Sequence, residues 1–212
     1  MFTKKRYTSV FPLETICKKL GVKITFDYVF SGVYEEIAPQ TLILTDINPY
    51  RTLKILQPGR ELYIYINYKE KNYIAKGVVK KIEDHRVILE FNKNNIDNDK
   101  RQFYRFHFCC EDLGEFVLLR NSTVITNEVC IYEISKTGVG LYIPAGVSLE
   151  VGDTYYLFNK ESNIKLDIEV VHFKNIGKFN VVGNKILETN VNLLKYILQE
   201  YIKVSEKIVF KG

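Results

Sequence analysis

The stretch "NKNNIDNDKRQFYRFHFCC", residues 92–110, decides the fold because it changes character halfway. Its first nine residues hold four Asn and a single apolar side chain, which suits a linker and not a core segment. The text then turns strand-like, and Arg101 and Arg105 bracket Phe103 and Tyr104 at the join. The reading places a domain boundary here, with residues 1–97 as one domain and 98–212 as the other.

Working outward, both sides read as strands. Upstream, "VKITFDYVF", "TLILTDI", "ELYIYINYK", "NYIAKGVVKKI" and "HRVILEF" mix β-branched and aromatic residues and are separated by turn text such as "QPGR" and "IEDH". Downstream, "FYRFHFCC", "GEFVLLRN", "EVCIYEIS", "GVGLYIP", "DTYYLFN", "IKLDIEVVHF" and "KFNVVGNKI" supply about seven more. Closely spaced short strands of this kind predict antiparallel barrels. "FPLETICKKLG", 11–21, reads as a short helix opened by Pro12 and stopped by Gly21. At the far end Val191, Leu194, Ile197/Leu198, Tyr201, Val204 and Ile208 recur at helical steps, a stripe read as packing onto a barrel. The fold class is therefore mainly β: two antiparallel, split β-barrels joined by a short linker, with a short N-terminal helix and a C-terminal α-helix.

Composition narrows the function. Tyr (15) and Phe (13) are abundant and Trp is absent, which favours strands. The net charge of +5 lies in residues 1–100, while residues 101–212 sum to about zero. A nucleic-acid coat needs a broad basic face, so Lys100, Arg101 and Arg105 read as a local cluster for a small anion, and no nucleic-acid partner is expected. The four cysteines, 17, 109, 110 and 130, form no CxxC pair and no zinc spacing, so no metal is expected. No signal peptide or membrane-length apolar run is read, and a reducing cytoplasm is the expected location.

Catalysis finds no support. His85, His107 and His172 share no motif, and GxSxG, HExxH and glycine-rich phosphate loops are missing. Binding is better served. On an extended chain Arg101 and Arg105 share a face about 13 Å apart at ~3.3 Å per residue. Their guanidinium groups match phosphate oxygens and the O6/N7 edge of guanine, and can clasp a ligand of nucleotide size. "YEISKTGVGLYIP", 132–144, adds Glu133 to accept from a guanine edge, Ser135 to offer a hydroxyl to phosphate, and Gly138 to allow positive φ and close backbone approach.

Together these pieces resemble a known pairing. "RQFYR" is similar to the RxxxR element of PilZ domains, and "EISKTG", with 27 residues between, is similar to their [D/N]xSxxG element. Residues 1–97 resemble the divergent barrel that precedes PilZ in flagellar-brake (YcgR-like) proteins, and "GKFNVVGNKI" with the following helix resembles the family's closing elements. The resemblance implies a receptor for cyclic di-GMP and no other cofactor. It maps phosphate and guanine contacts to Arg101 and Arg105, and the remaining motif positions to Glu133, Ser135 and Gly138. Lys100 stands where relatives that bind an intercalated ligand dimer carry another arginine. It further implies that ligand at the inter-domain junction changes domain orientation and the binding of a protein partner, a flagellar motor component by analogy, in control of motility or biofilm. The chain is expected as monomer or homodimer. Glu133 departs from the family's Asp or Asn, and its extra methylene is expected to weaken binding by about 1–3 kcal/mol. The alternatives are a degenerate PilZ adaptor that acts without nucleotide and, less favoured, a barrel that binds single-stranded nucleic acid.

Overall fold

A computed structural model describes residues 4–18, 20–69, 71–98 and 103–210. The chain divides into two compact units. The first comprises Met1–Leu13 and Asp27–Arg101, and the second Glu14–Phe26 and Gln102–Gly212. The units are thus not contiguous in sequence.

Six strands build the first barrel: β1 (Lys5–Cys17), β2 (Val22–Ala38), β3 (Thr41–Asn48), β4 (Glu61–Tyr68), β5 (Lys71–Glu83) and β6 (Arg86–Asn98), with a 3₁₀ turn at Tyr50–Lys54; the end of β1 from residue 14 and the start of β2 up to residue 26 belong to the second unit. They close as an antiparallel barrel in the order β1-β2-β3-β6-β5-β4. Period-two alternation drives it: Leu42 and Leu44 of β3, Leu62 and Ile64 of β4, and Val87 and Leu89 of β6 all point inward and are fully buried. Asp84 and His85 both take positive φ in the two-residue turn between β5 and β6, the backbone twist that such hairpins favour.

The second unit holds β7 (Phe106–His107), β8 (Phe116–Arg120), β9 (Thr123–Ile134), β10 (Gly138–Pro144), β11 (Thr154–Asn159), β12 (Ile164–Ile176), β13 (Phe179–Thr189) and the helix α1 (Leu193–Phe210). The sheet runs β10-β13-β12-β11-β8-β9-β7, and a further β9–β10 pairing closes its first six strands into a second barrel. Leu118, Leu141, Leu157, Leu166, Ile168 and Val182 fill its core. Asn192 caps α1 by accepting from the Lys195 N–H at 3.1 Å. Among the described residues no helix is long and apolar enough to cross a membrane.

Three expectations change. The segment 11–21 is not a helix; β1 runs through Cys17, and Leu13, Thr15 and Cys17 turn inward while Glu14 and Ile16 face solvent. An eleven-residue helix is marginal in water, whereas the extended chain buries Phe11 and Cys17 almost completely. Gly21 does punctuate, but at the β1–β2 turn, at φ +64° with its N–H donating to the Cys17 carbonyl at 2.9 Å. The Asn-rich linker is largely strand: β6 continues to Asn98 and pairs Ile96 with Ala75 and Asn98 with Tyr73. Ladder hydrogen bonds come from the backbone, so a solvent-facing strand tolerates Asn side chains. On α1 the buried line is Leu193, Ile197 and Val204, leaving Leu194 and Leu198 of the expected stripe exposed.

Candidate functional site

The candidate residues meet where three strands of the second unit run side by side. Glu133, near the end of β9, pairs with His107 of β7 on one side and with Gly140 of β10 on the other. The register of β9 and β10 shifts between Gly140 and Leu141, leaving Tyr132 as the extra residue. Gly140 is what makes room: a Cβ there would lie 2.5 Å from Glu133 Cγ and 2.7 Å from Tyr132 Cζ, far inside contact distance. No other residue type fits without moving one of those side chains.

Into that room Glu133 draws Arg105, whose Nη1 donates to Glu133 Oε1 at 2.8 Å. His107 Nε2 lies 3.6 Å from the other carboxylate oxygen. The Glu133 side chain is 16% exposed and that of Arg105 47%, so the carboxylate is an enclosed anchor and the guanidinium a partly open face. Two of the five guanidinium donors at most can serve one carboxylate side-on; the remainder stay available to an anion. The Glu133 charge and burial together push the Tyr132 hydroxyl up to about 12, burial being the larger cause.

Aromatic packing aims the arginine. Tyr104 meets Phe106 edge to face at 4.9 Å, Phe106 meets Tyr201 of α1 at 5.2 Å, and Tyr201 stacks on Phe26 at 5.4 Å. Each such pair contributes about 0.5–1.5 kcal/mol beyond area burial. The aromatics interleaved in "FYRF" therefore pin the strand and leave Arg105 facing outward. Phe103 takes a different role, since Lys136 Nζ stands 5.2 Å over its ring.

Ser135 and Gly138 form a closed turn. The Ser135 N–H donates to the Gly138 carbonyl at 2.8 Å, and the Gly138 N–H donates to Ser135 Oγ at 3.1 Å. The Thr137 N–H reaches the same oxygen at 3.4 Å, and the hydroxyl donates to the Gly138 carbonyl at 3.3 Å. Ser135 is only 5% exposed. The expected positive φ at Gly138 is not found; the glycine opens β10 in ordinary strand conformation, and a Cβ there would press to 3.3 Å from the Asn184 carbonyl oxygen. Close approach, not handedness, is what the position uses.

The structure thus brings Arg105, Glu133, Ser135 and Gly138 together within one unit. Lys100 and Arg101 lie outside the described residues. Sequence reading passed over Gly140, His107 and Lys136; the second glycine of "TGVG" was the available signal for the first, while the other two depend on pairing across strands.

No protein-family model matches the sequence, and no curated protein does. Among solved structures the chain is similar to the Bacillus subtilis inhibitor of motility MotI/DgrA, at 15% identity over 98% of this chain and 99% of that one, with a TM-score of 0.41. It is similar to K. pneumonia MrkH in its complex with c-di-GMP, at 11% identity over 96% and 88% of the two chains and a TM-score of 0.35. Escherichia coli YcgR in complex with c-di-GMP follows at 10% identity, over 97% and 86% of the two chains, with a TM-score of 0.35. Likeness at this level assigns no ligand to this chain.

Proposed function

We propose that the second unit is a receptor for cyclic di-GMP and not an enzyme. The observation that supports this most is the Arg105–Glu133 pair, held at 2.8 Å beside the Ser135–Gly138 turn. A guanidinium fixed by a sheltered carboxylate keeps its planar fork in one orientation before ligand arrives, which lowers the ordering cost of binding a phosphate or guanine edge. The motif resemblance names the dinucleotide that this combination would take. The output proposed with it is a changed domain orientation that alters the binding of a protein partner, a motor component by analogy; small-angle scattering with and without ligand tests that part.

Calorimetry with cyclic di-GMP, with cyclic di-AMP and GTP as controls, tests the receptor. Heat is expected with cyclic di-GMP alone, and Arg105→Ala is expected to lose about 10- to 150-fold in affinity, the range for a hydrogen bond to a charged group. No heat with the intact chain ends the reading.

A second reading, a PilZ-like adaptor that works without nucleotide, is favoured by one observation. The Ser135 hydroxyl is buried and engaged within its own turn, and Glu133 is engaged by Arg105, so the motif is satisfied without a ligand. If the native chain is silent and Glu133→Asp, which shortens the reach to Arg105, creates binding, the adaptor reading takes over.

A further inference from the structure

The cysteines have no metal-like spacing in sequence, yet three segments of the second unit gather them. Cys17 ends β1, Cys109 and Cys110 follow β7, and Cys130 lies within β9. The sulfurs of Cys17, Cys110 and Cys130 all lie within 4.8 Å of one another, and these residues are 1%, 4% and 4% exposed. Cys110 and Cys130 form a disulfide, with Cys17 Sγ 3.5 Å from Cys110 Sγ. Leu20, Ile24, Cys109 and Tyr142 pack around them.

Metal ligation by the reduced thiols is one chemistry such a cluster can perform. The three sulfurs form a triangle that can open to three corners of a tetrahedral site once the Cys110–Cys130 bond is reduced. Zinc–sulfur bonds of ~2.3 Å give a tetrahedral edge of about 3.8 Å, close to the Cys17–Cys110 separation of 3.5 Å.

Two features of the surroundings agree. The Cys110 N–H donates to Cys17 Sγ at 3.3 Å, the kind of outer contact that supports a thiolate ligand. Cys17, Cys109 and Glu111 form a second group within 4.8 Å, and Glu111 Oε2 is 3.3 Å from Cys17 Sγ, so a fourth donor stands beside the triangle on its more open side.

We propose that in its reduced form the second unit holds a zinc-class divalent ion on the thiolates of Cys17, Cys110 and Cys130, with Glu111 or Cys109 completing the tetrahedron. A dithiol reductant supplies two electrons and two protons to the Cys110–Cys130 bond and is itself oxidised to a disulfide. The ion then displaces one proton from each of the three thiols, and a fourth from Cys109 where that residue completes the site, with no change in its own oxidation state. Cys110 lies five residues after Arg105 and Cys130 three before Glu133, so disulfide and ion both tie the segments that carry that pair. The ion adds Cys17, and with it the 14–26 hairpin of the same unit. This inference is independent of the cyclic di-GMP reading.

The full chain, reduced with a dithiol and exchanged into anaerobic buffer, is titrated with cobalt(II). One equivalent is expected to bind with a near-ultraviolet thiolate charge-transfer band and the intense visible bands of a tetrahedral site, and zinc(II) should bleach both. Cys17→Ser should weaken binding at least tenfold while its Cys110–Cys130 disulfide still forms on oxidation, which shows that the variant folds. A band shift in Glu111→Gln or in Cys109→Ser identifies the fourth ligand. A reduced, folded wild-type chain that gives only the weak spectrum of octahedral cobalt, or a Cys17→Ser variant that titrates like wild type, overturns the proposal.

Discussion

Gly77 of the first barrel and Gly140 of the second each stand beside a shift of register between neighbouring strands. A side chain on Gly77 would meet Leu62, Glu90 and Leu89 at 3.7–3.9 Å, which is ordinary contact. One on Gly140 would collide with Glu133 and Tyr132. The first barrel therefore leaves the space beside its glycine unused, and the second fills it with an enclosed carboxylate that holds an arginine. The comparison separates a glycine that merely eases a bend from one whose absent side chain makes a charged pair possible. The barrels differ in their buried polar groups as well. In the first, the buried Ser9 and Tyr34 share a 2.6 Å hydrogen bond. In the second, buried polar residues are spread over β11, β13 and α1 as Asn159, Asn180, Asn184 and Ser205, while Ser135 follows β9 next to the half-buried Glu133 that holds Arg105.

The sharpest test of the comparison is Gly140→Ala. It should lower stability by about 1–3 kcal/mol, the range for overpacking a filled site, and should displace Glu133 from Arg105. Urea unfolding and calorimetry on one preparation measure both effects, and an unchanged midpoint would remove the special standing of Gly140. Gly77→Ala should move the other way, stabilising by about 0.5–1 kcal/mol because glycine is costly inside a strand. A loss of similar size at both glycines would erase the contrast.

A further effect belongs to alkaline pH, and there the two barrels should agree. Unfolded tyrosine ionises near pH 10, while burial holds the protons of Tyr132 and Tyr196 to about 12 and raises Tyr34 of the first barrel as well. Above pH 10 the unfolded chain binds fewer protons than the folded one, so stability falls as pH rises and is unaffected near neutrality. Urea midpoints at pH 8 and pH 11 measure the fall. Tyr132→Phe should make it shallower, and a Tyr132→Phe slope equal to wild type would mean that burial does not hold that proton.

Much of this architecture was legible in the residues themselves. Alternation in "TLILTDI" and "ELYIYINYK" announced strands whose Leu42, Leu44, Leu62 and Ile64 are buried as the pattern requires. The spacing of "RQFYR" and "EISKTG" singled out Arg101, Arg105, Glu133, Ser135 and Gly138; Arg105 pairs with Glu133 and Ser135 with Gly138, while Arg101 lies outside the described residues. These features are local: a strand's period and a motif's residue types are written in consecutive letters. Three others were decided only by the tertiary structure. Residues 11–17 carry helix punctuation but extend because burying Phe11 and Cys17 outweighs the weak preference of a short helix. Gly140 became indispensable only when β9 and β10 paired with a bulge that turned Tyr132 and Glu133 onto it. Cys17, Cys110 and Cys130 have no meaningful spacing, because the distance between their sulfurs is fixed by the closing of a barrel and the folding-in of a hairpin. Proximity of that kind depends on which surfaces are buried together, and no local pattern of residues encodes it.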